Sequence, residues 1–181
     1  MGQIILVTGG ARSGKSSFAE KLVREKGERI SYIATAQIFD EEMRFRIKLH
    51  RERRPKDWKT YEAPFHAEKA LKKAVKDSDA ILFDCITVYL SNLVCAKSVA
   101  ELAKEDALYT EAKANIQALI DTVKAANATV IFVTNEVGAG IVPENHLARI
   151  YRDLSGSVNQ QLACASDEVY AVICGIPMQL K

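Results

Sequence analysis

The chain has 181 residues, 48% apolar and 27% charged, with a formal net charge of +2. That length suits one domain, spanning residues 1–181, with a substantial core, and so small a charge gives no ground for a nucleic-acid partner. No apolar run is long enough to span a membrane, and the first residues lack both the basic start of a signal peptide and a myristoylation site, since Leu6 stands where Ser or Thr is needed; the expected location is the cytoplasm.

The first apolar run, residues 4–8, predicts a buried strand. Gly9, Gly10, Ala11, Arg12, Ser13, Gly14, Lys15 and Ser16 follow it, reading G-x-x-x-x-G-K-S. A helical pattern over 16–26 comes next, with Phe18 and Leu22 four apart. Strand, glycine-rich turn and helix form the context in which this phosphate-binding loop (P-loop) holds a nucleoside triphosphate. The glycines let backbone N–H groups close around phosphate oxygens, and the helix turns its positive end to the same anion. Lys15 reaches the β- and γ-phosphates, and the Ser16 hydroxyl suits Mg²⁺.

Further strands are predicted over 30–35, 80–84, 129–134 and 168–174, as near-continuous apolar runs buried on both faces. Helices are predicted over 40–53 and 67–75, a short one over 88–93, one or two within 100–126, and a last one over 145–165. Residues 57–64 read as a loop. The alternation implies an α/β fold with a mostly parallel sheet flanked by helices. Ligands in such folds sit outside the carboxyl ends of the strands. The P-loop, Thr35 with Ala36 and Gln37, Asp84, and Thr134 with Asn135 and Glu136 all fall at such ends and are expected to converge. Cys85, Cys95, Cys164 and Cys174 have no C-x-x-C spacing and read as buried small apolar residues in a reducing compartment.

Two features add chemistry. Asp84 closes an apolar strand, where P-loop enzymes keep the carboxylate that holds Mg²⁺; the alternative is a strand cap. Residues 44–56 contain Arg44, Arg46, Lys48, Arg51, Arg53, Arg54 and Lys56, opposed by Glu52 alone, and His50 continues the face set by Met43 and Ile47. One reading is a solvated basic helix with a half-buried histidine. The other is a nucleophile, because neutral imidazole attacks phosphorus, nearby cations keep it neutral, and arginines grip phosphates. His66 reads as a cap or surface residue, and His146 carries no assigned chemistry. Glu62 reads as solvent-exposed or as a hydrogen-bond partner of a ribose or base. Gly138 and Gly140 mark a loop over the cleft.

Taken together these stretches resemble a known family. They are residues 6–16, 32–37, Glu42, Met43, Arg46, Ile47, His50, Arg54, Pro55, residues 84–87, residues 133–145, and Arg149, Arg152, Asp153, Gly156, Val158, Asn159 and Gln160. The chain resembles the bifunctional adenosylcobinamide kinase / adenosylcobinamide-phosphate guanylyltransferases over essentially its whole length. The resemblance implies a RecA-like P-loop NTPase fold, a homotrimer, and two activities. A nucleoside triphosphate (ATP or GTP) phosphorylates the aminopropanol hydroxyl of the corrinoid adenosylcobinamide. GTP then guanylylates the product through a GMP–histidine intermediate, giving adenosylcobinamide-GDP. The resemblance makes His50 that histidine and Lys15 the second catalytic residue. It also makes residues 9–16, Ala34, Thr35, Ala36, Arg51, Glu52, Arg53, Arg54, Glu62 and Asp84 the nucleotide site, with Ser16 and Asp84 on Mg²⁺. Two rival readings share the P-loop: a small-molecule kinase without covalent catalysis, and a RecA-like NTPase stimulated by nucleic acid. The second needs stacking aromatics, and Trp58 alone stands near the basic segment.

Overall fold

In the first strand, β1 (Gln3–Thr8), Ile4 and Leu6 enter one apolar cluster while Ile5 and Val7 enter another on the opposite face. The same split recurs in β4 (Ala80–Asp84), where Ile81 and Phe83 face one way and Leu82 the other. Successive side chains of a strand point to opposite faces, so a run apolar at every position needs cover on both. That is the physical reason for three layers. The computed structural model describes residues 1–37, 41, 44–45, 55 and 57–181.

One sheet of seven strands runs in the order β3-β2-β4-β5-β1-β6-β7. The strands are β1, β2 (Ile30–Ala34), β3 (Lys59–Glu62), β4 (Ala80–Asp84), β5 (Thr129–Val133), β6 (Glu168–Ile173) and β7 (Ile176–Gln179). Every pairing is parallel except β6 with β7. Helix α1 (Lys15–Lys26) covers one face through Ala19, Leu22 and Val23. Four helices lie against the other face: α2 (Ala67–Asp77), α3 (Ile86–Cys95), α5 (Glu105–Lys124) and α6 (His146–Ala165). Short α4 (Val99–Leu102) precedes α5.

Three sequence expectations need correction. The stretch read as a loop at 57–64 contains β3, an edge strand whose Lys-Thr-Tyr-Glu residues are mostly exposed. A strand with one neighbour and one wet face shows no apolar run. β7 was not foreseen either, because Pro177 sits in it, which only an edge tolerates. Third, only Cys85 is buried among the four cysteines, all free; Cys95, Cys164 and Cys174 are exposed. The pattern over 100–126 resolves into two helices, α4, opened by a Ser98–Glu101 capping box, and α5. Asn145 caps α6, its side chain accepting from the Ala148 N–H at 3.0 Å. The predicted helix over 40–53 lies largely outside the described residues; Glu41, Arg44 and Phe45 are described and exposed. No helix among the described residues is long and apolar enough to cross a membrane.

The fold also explains one obligatory glycine. A Cβ on Gly9 would lie 2.6 Å from the Val172 carbonyl oxygen and 2.5 Å from Ser13 Oγ. Ser13 Oγ can rotate away, but the Val172 carbonyl cannot recede without moving β6. Gly9→Ala is therefore expected to cost about 1–3 kcal/mol of stability through overpacking. Thermal unfolding reads the loss, and nucleotide titration reads the accompanying weakening of binding.

Candidate active site

The P-loop is built as an anion cradle. Gly14 has φ +93° and Arg12 φ +56°, conformations that turn successive N–H groups inward. Ser13 N–H donates to Gly10 O at 3.3 Å, and Phe18 N–H donates to Gly14 O at 3.0 Å as α1 begins. The β6–β7 turn braces the loop from outside, Gly175 N–H donating to Ser13 O at 2.8 Å. Lys15 is only 9% exposed, and its Nζ donates to Gly10 O at 3.1 Å. Burial holds the Lys15 ammonium below its ordinary pKa, opposed by the Asp84 carboxylate. The hydroxyl oxygens of Thr8 and Ser13 and the Gln37 amide nitrogen are buried without a partner among the described residues. Buried polar groups are normally satisfied, and these three belong to the end of β1, to the loop that follows it and to the residues after β2.

Asp84 ends β4 half-buried, and its Oδ2 accepts from Tyr32 Oη at 2.7 Å. The Asp84–Cys85 peptide is cis. Thr35 is fully buried; its Oγ1 donates to Cys85 O and accepts from Cys85 N–H, both at 2.9 Å. Its hydroxyl thus clamps the ends of β2 and β4 together. Asn92 Nδ2 extends the clamp, donating to Thr35 O at 2.8 Å and Pro64 O at 3.0 Å. Ala34 is buried in β2, and Ala36 is half-buried beyond it. Glu62 is exposed at the end of β3, paired in register with Ala34. Burial and the Asp84 charge push the Cys85 thiol up to about 11. It stays protonated near neutrality and is no nucleophile.

The described part of the predicted site therefore converges. Residues 9–16 lie at the end of β1, Thr35 and Ala36 follow β2, and Asp84 ends β4, with Lys15 sensing the Asp84 charge. His50, Arg51, Glu52, Arg53 and Arg54 lie outside the described residues. Sequence reasoning gave Tyr32, Thr87 and Asn159 no role beyond carrying the family resemblance, and it missed Asn92. Ser155 and Asn159 offered a signal, being polar residues four apart on the buried face of α6 beside Leu154 and Val158. Tyr32 offered none, since a tyrosine within a strand reads as core. His146 Nε2 lies 3.3 Å from Glu105 Oε1.

Residues 5–180 match the family model for cobinamide kinase / cobinamide phosphate guanyltransferase (CobU). The chain belongs to this family. It is 43% identical over 181 residues to the bifunctional adenosylcobalamin biosynthesis protein CobU of Escherichia coli, covering 98% of this chain and 99% of that one. It is 45% identical to the CobU of Salmonella typhimurium over the same 98% and 99%. It is 39% identical over 176 residues to the bifunctional adenosylcobalamin biosynthesis protein CobP of Pseudomonas aeruginosa, covering 97% of this chain and 96% of that one. Among solved structures, an ATPase of a bacterial type III secretion system superposes with a TM-score of 0.57 at 13% identity, over 94% of this chain and 51% of the ATPase. That likeness concerns the fold, a RecA-like P-loop NTPase fold.

The CobU-family fold implies Mg²⁺ beside the nucleotide, and the residues present fit it. Ser16 and Asp84 offer hard oxygens at the cradle, both half-buried. No group of three His, Cys, Asp or Glu residues gathers among the described residues. Mg²⁺ takes few protein ligands and fills its shell with phosphates and water, so a sparse site is the expected kind.

The lowered Lys15 pKa gives a pH prediction. A bound triphosphate favours the ammonium, so the complex holds more protons than the free protein above the free-protein pKa. Nucleotide affinity then falls as pH rises through that pKa, approaching about tenfold per pH unit. Fluorescence of Trp58, the single tryptophan, supplies the titration signal. Lys15→Met should bind more weakly with the slope removed, and an unchanged slope in that variant would contradict the assignment.

Proposed function

We propose that the chain phosphorylates the aminopropanol hydroxyl of adenosylcobinamide with ATP or GTP, then transfers GMP from GTP to the phosphorylated corrinoid through a covalent adduct on His50. The observation that carries this reading is the Lys15-centred cradle beside Asp84 in a chain matched to the family across residues 5–180. Phosphoryl transfer needs attack at the γ-phosphorus, and guanylyl transfer needs attack at the α-phosphorus. One cradle serves both by fixing the whole triphosphate and stabilising its developing charge. The backbone N–H groups of residues 9–16 orient the phosphates, and Lys15 holds the β- and γ-phosphate charge. His50 forms a bond to the α-phosphorus as pyrophosphate leaves. The corrinoid phosphate oxygen then attacks the same phosphorus, and the imidazole leaves neutral. Arg51, Glu52, Arg53, Arg54, Glu62, Ala34, Thr35 and Ala36 complete the nucleotide site, Thr35 by holding β2 against β4. Ser16 and Asp84 would hold Mg²⁺, which when bound neutralises phosphate charge.

The protein acts as one P-loop unit over residues 1–181, as a cytoplasmic homotrimer. Supporting an assembly, Ile173, Ile176, Met178 and Leu180 leave an apolar strip exposed on the β6–β7 edge. Incubation with cobinamide, ATP and GTP, followed by identification of the corrinoid product, tests the function. Cobinamide-GDP supports it, and cobinamide phosphate alone would reduce the protein to a kinase. Light scattering tests the trimer.

A further inference from the structure

The polar cluster at the end of β5, Thr134 with Asn135 and Glu136, has no part in the reading above, yet its backbone is pinned at three points. Thr134 N–H donates to Val7 O at 3.0 Å, and Glu136 N–H donates to Gly9 O at 3.1 Å. Asn159 Nδ2 donates to Asn135 O at 3.2 Å, while Asn159 Oδ1 accepts from Thr134 Oγ1 at 2.7 Å. On the other side, Asn135 Nδ2 donates to Thr87 Oγ1 at 2.8 Å. Thr87 belongs to the first turn of α3, directly after Asp84 and Cys85, and its Oγ1 lies 3.1 Å from Cys85 Sγ. Tyr151 Oη donates to Thr87 O at 2.8 Å and fixes that turn against α6. One residue therefore spans two walls of the site.

We propose that Asn135 is a positioning residue for γ-phosphoryl transfer, tying the Gly9 end of the cradle to the first turn of α3, which directly follows Asp84 at the end of β4. The inference rests on the two-activity reading above. The end of the cradle it holds decides which activity it serves. Lys15 Nζ sits on Gly10 O, and the lysine of this motif reaches the β- and γ-phosphates. The Gly9–Gly10 end is thus the γ end, and the tie bears on attack there rather than at the α-phosphorus. Loosening it leaves the phosphate-binding N–H groups in place but spreads the distance between the γ-phosphate and the first turn of α3 after Asp84. Misplacement of that kind lowers the rate of the chemical step more than it weakens binding.

The test compares Asn135→Ala, Thr87→Val and the double variant with wild type. Phosphorylation of cobinamide is measured at varied nucleotide, and GMP adduct formation is measured with GTP alone. Each single variant should lose about tenfold or more in kcat for phosphorylation, with nucleotide KM and adduct rate within about threefold of wild type, and the double variant should be no slower than the worse single. Equal losses in both half-reactions, additive losses in the double variant, or an unimpaired phosphorylation rate in Asn135→Ala would overturn the proposal. Thr87→Val is close to isosteric and keeps the test decisive if Asn135→Ala unfolds early. A wild-type protein lacking either activity would refute the underlying two-activity reading instead.

Discussion

Lys15→Ala is expected to lower both phosphorylation and guanylylation by about 10²–10³, the usual effect of removing one preorganised charge stabiliser from a dry site. Both fall together because one ammonium serves one triphosphate, whichever phosphorus is attacked. The side chain is 9% exposed and lies inside the loop it completes. Stability should not follow activity down. Burial already lowers the pKa of this ammonium, which means the folded protein bears a cost for keeping it charged. An inactive variant that melts at or above the wild-type temperature is the expected result. A variant that retains the full phosphorylation rate would contradict the P-loop assignment.

His50→Ala separates the activities. Guanylyl transfer should fall by about 10³-fold or more, the scale on which enzymes lose a covalent nucleophile. Phosphorylation should persist, because attack at the γ-phosphorus by the corrinoid hydroxyl forms no bond to the imidazole. The partition between the two rates carries the argument, since a general loss of nucleotide affinity would depress both. Added phosphorylated cobinamide should not rescue the variant's guanylylation. Parallel losses would assign His50 to phosphate binding rather than to covalent catalysis, and would return the basic segment to its blander reading as a charged helix.

The sequence revealed those parts of the molecule in which one force dominates. Strands β1, β2, β4, β5 and β6 are apolar at nearly every position because both faces are covered, and they emerge within a residue or so of their expected bounds. The P-loop was legible because its glycines answer a backbone need, as the Gly9 contacts show. Edge strands β3 and β7 were hidden, since a strand half in water need not be apolar. The cysteines misled for a related reason: Cys164 belongs to the apolar pattern of α6 by composition but lies on its outer side. In the site, residues that act through charge stood out, Lys15 and Asp84 among them. Residues that act by holding others did not. Tyr32, Thr87, Asn92 and Asn159 acquire meaning only from partners on other elements, many residues away along the chain. No local spacing encodes such a partnership. His50 and Arg46, Arg51, Arg53 and Arg54 lie outside the described residues, so their assignment rests on the family and on the chemistry of imidazole among cations.

The most direct measurement is the intact mass of the protein after incubation with GTP and Mg²⁺ in the absence of corrinoid, followed by peptide mapping. The account predicts one GMP per chain on His50, lost again when phosphorylated cobinamide is added and absent from His50→Ala. A wild-type protein that turns over cobinamide and GTP to cobinamide-GDP without ever carrying that adduct would contradict it.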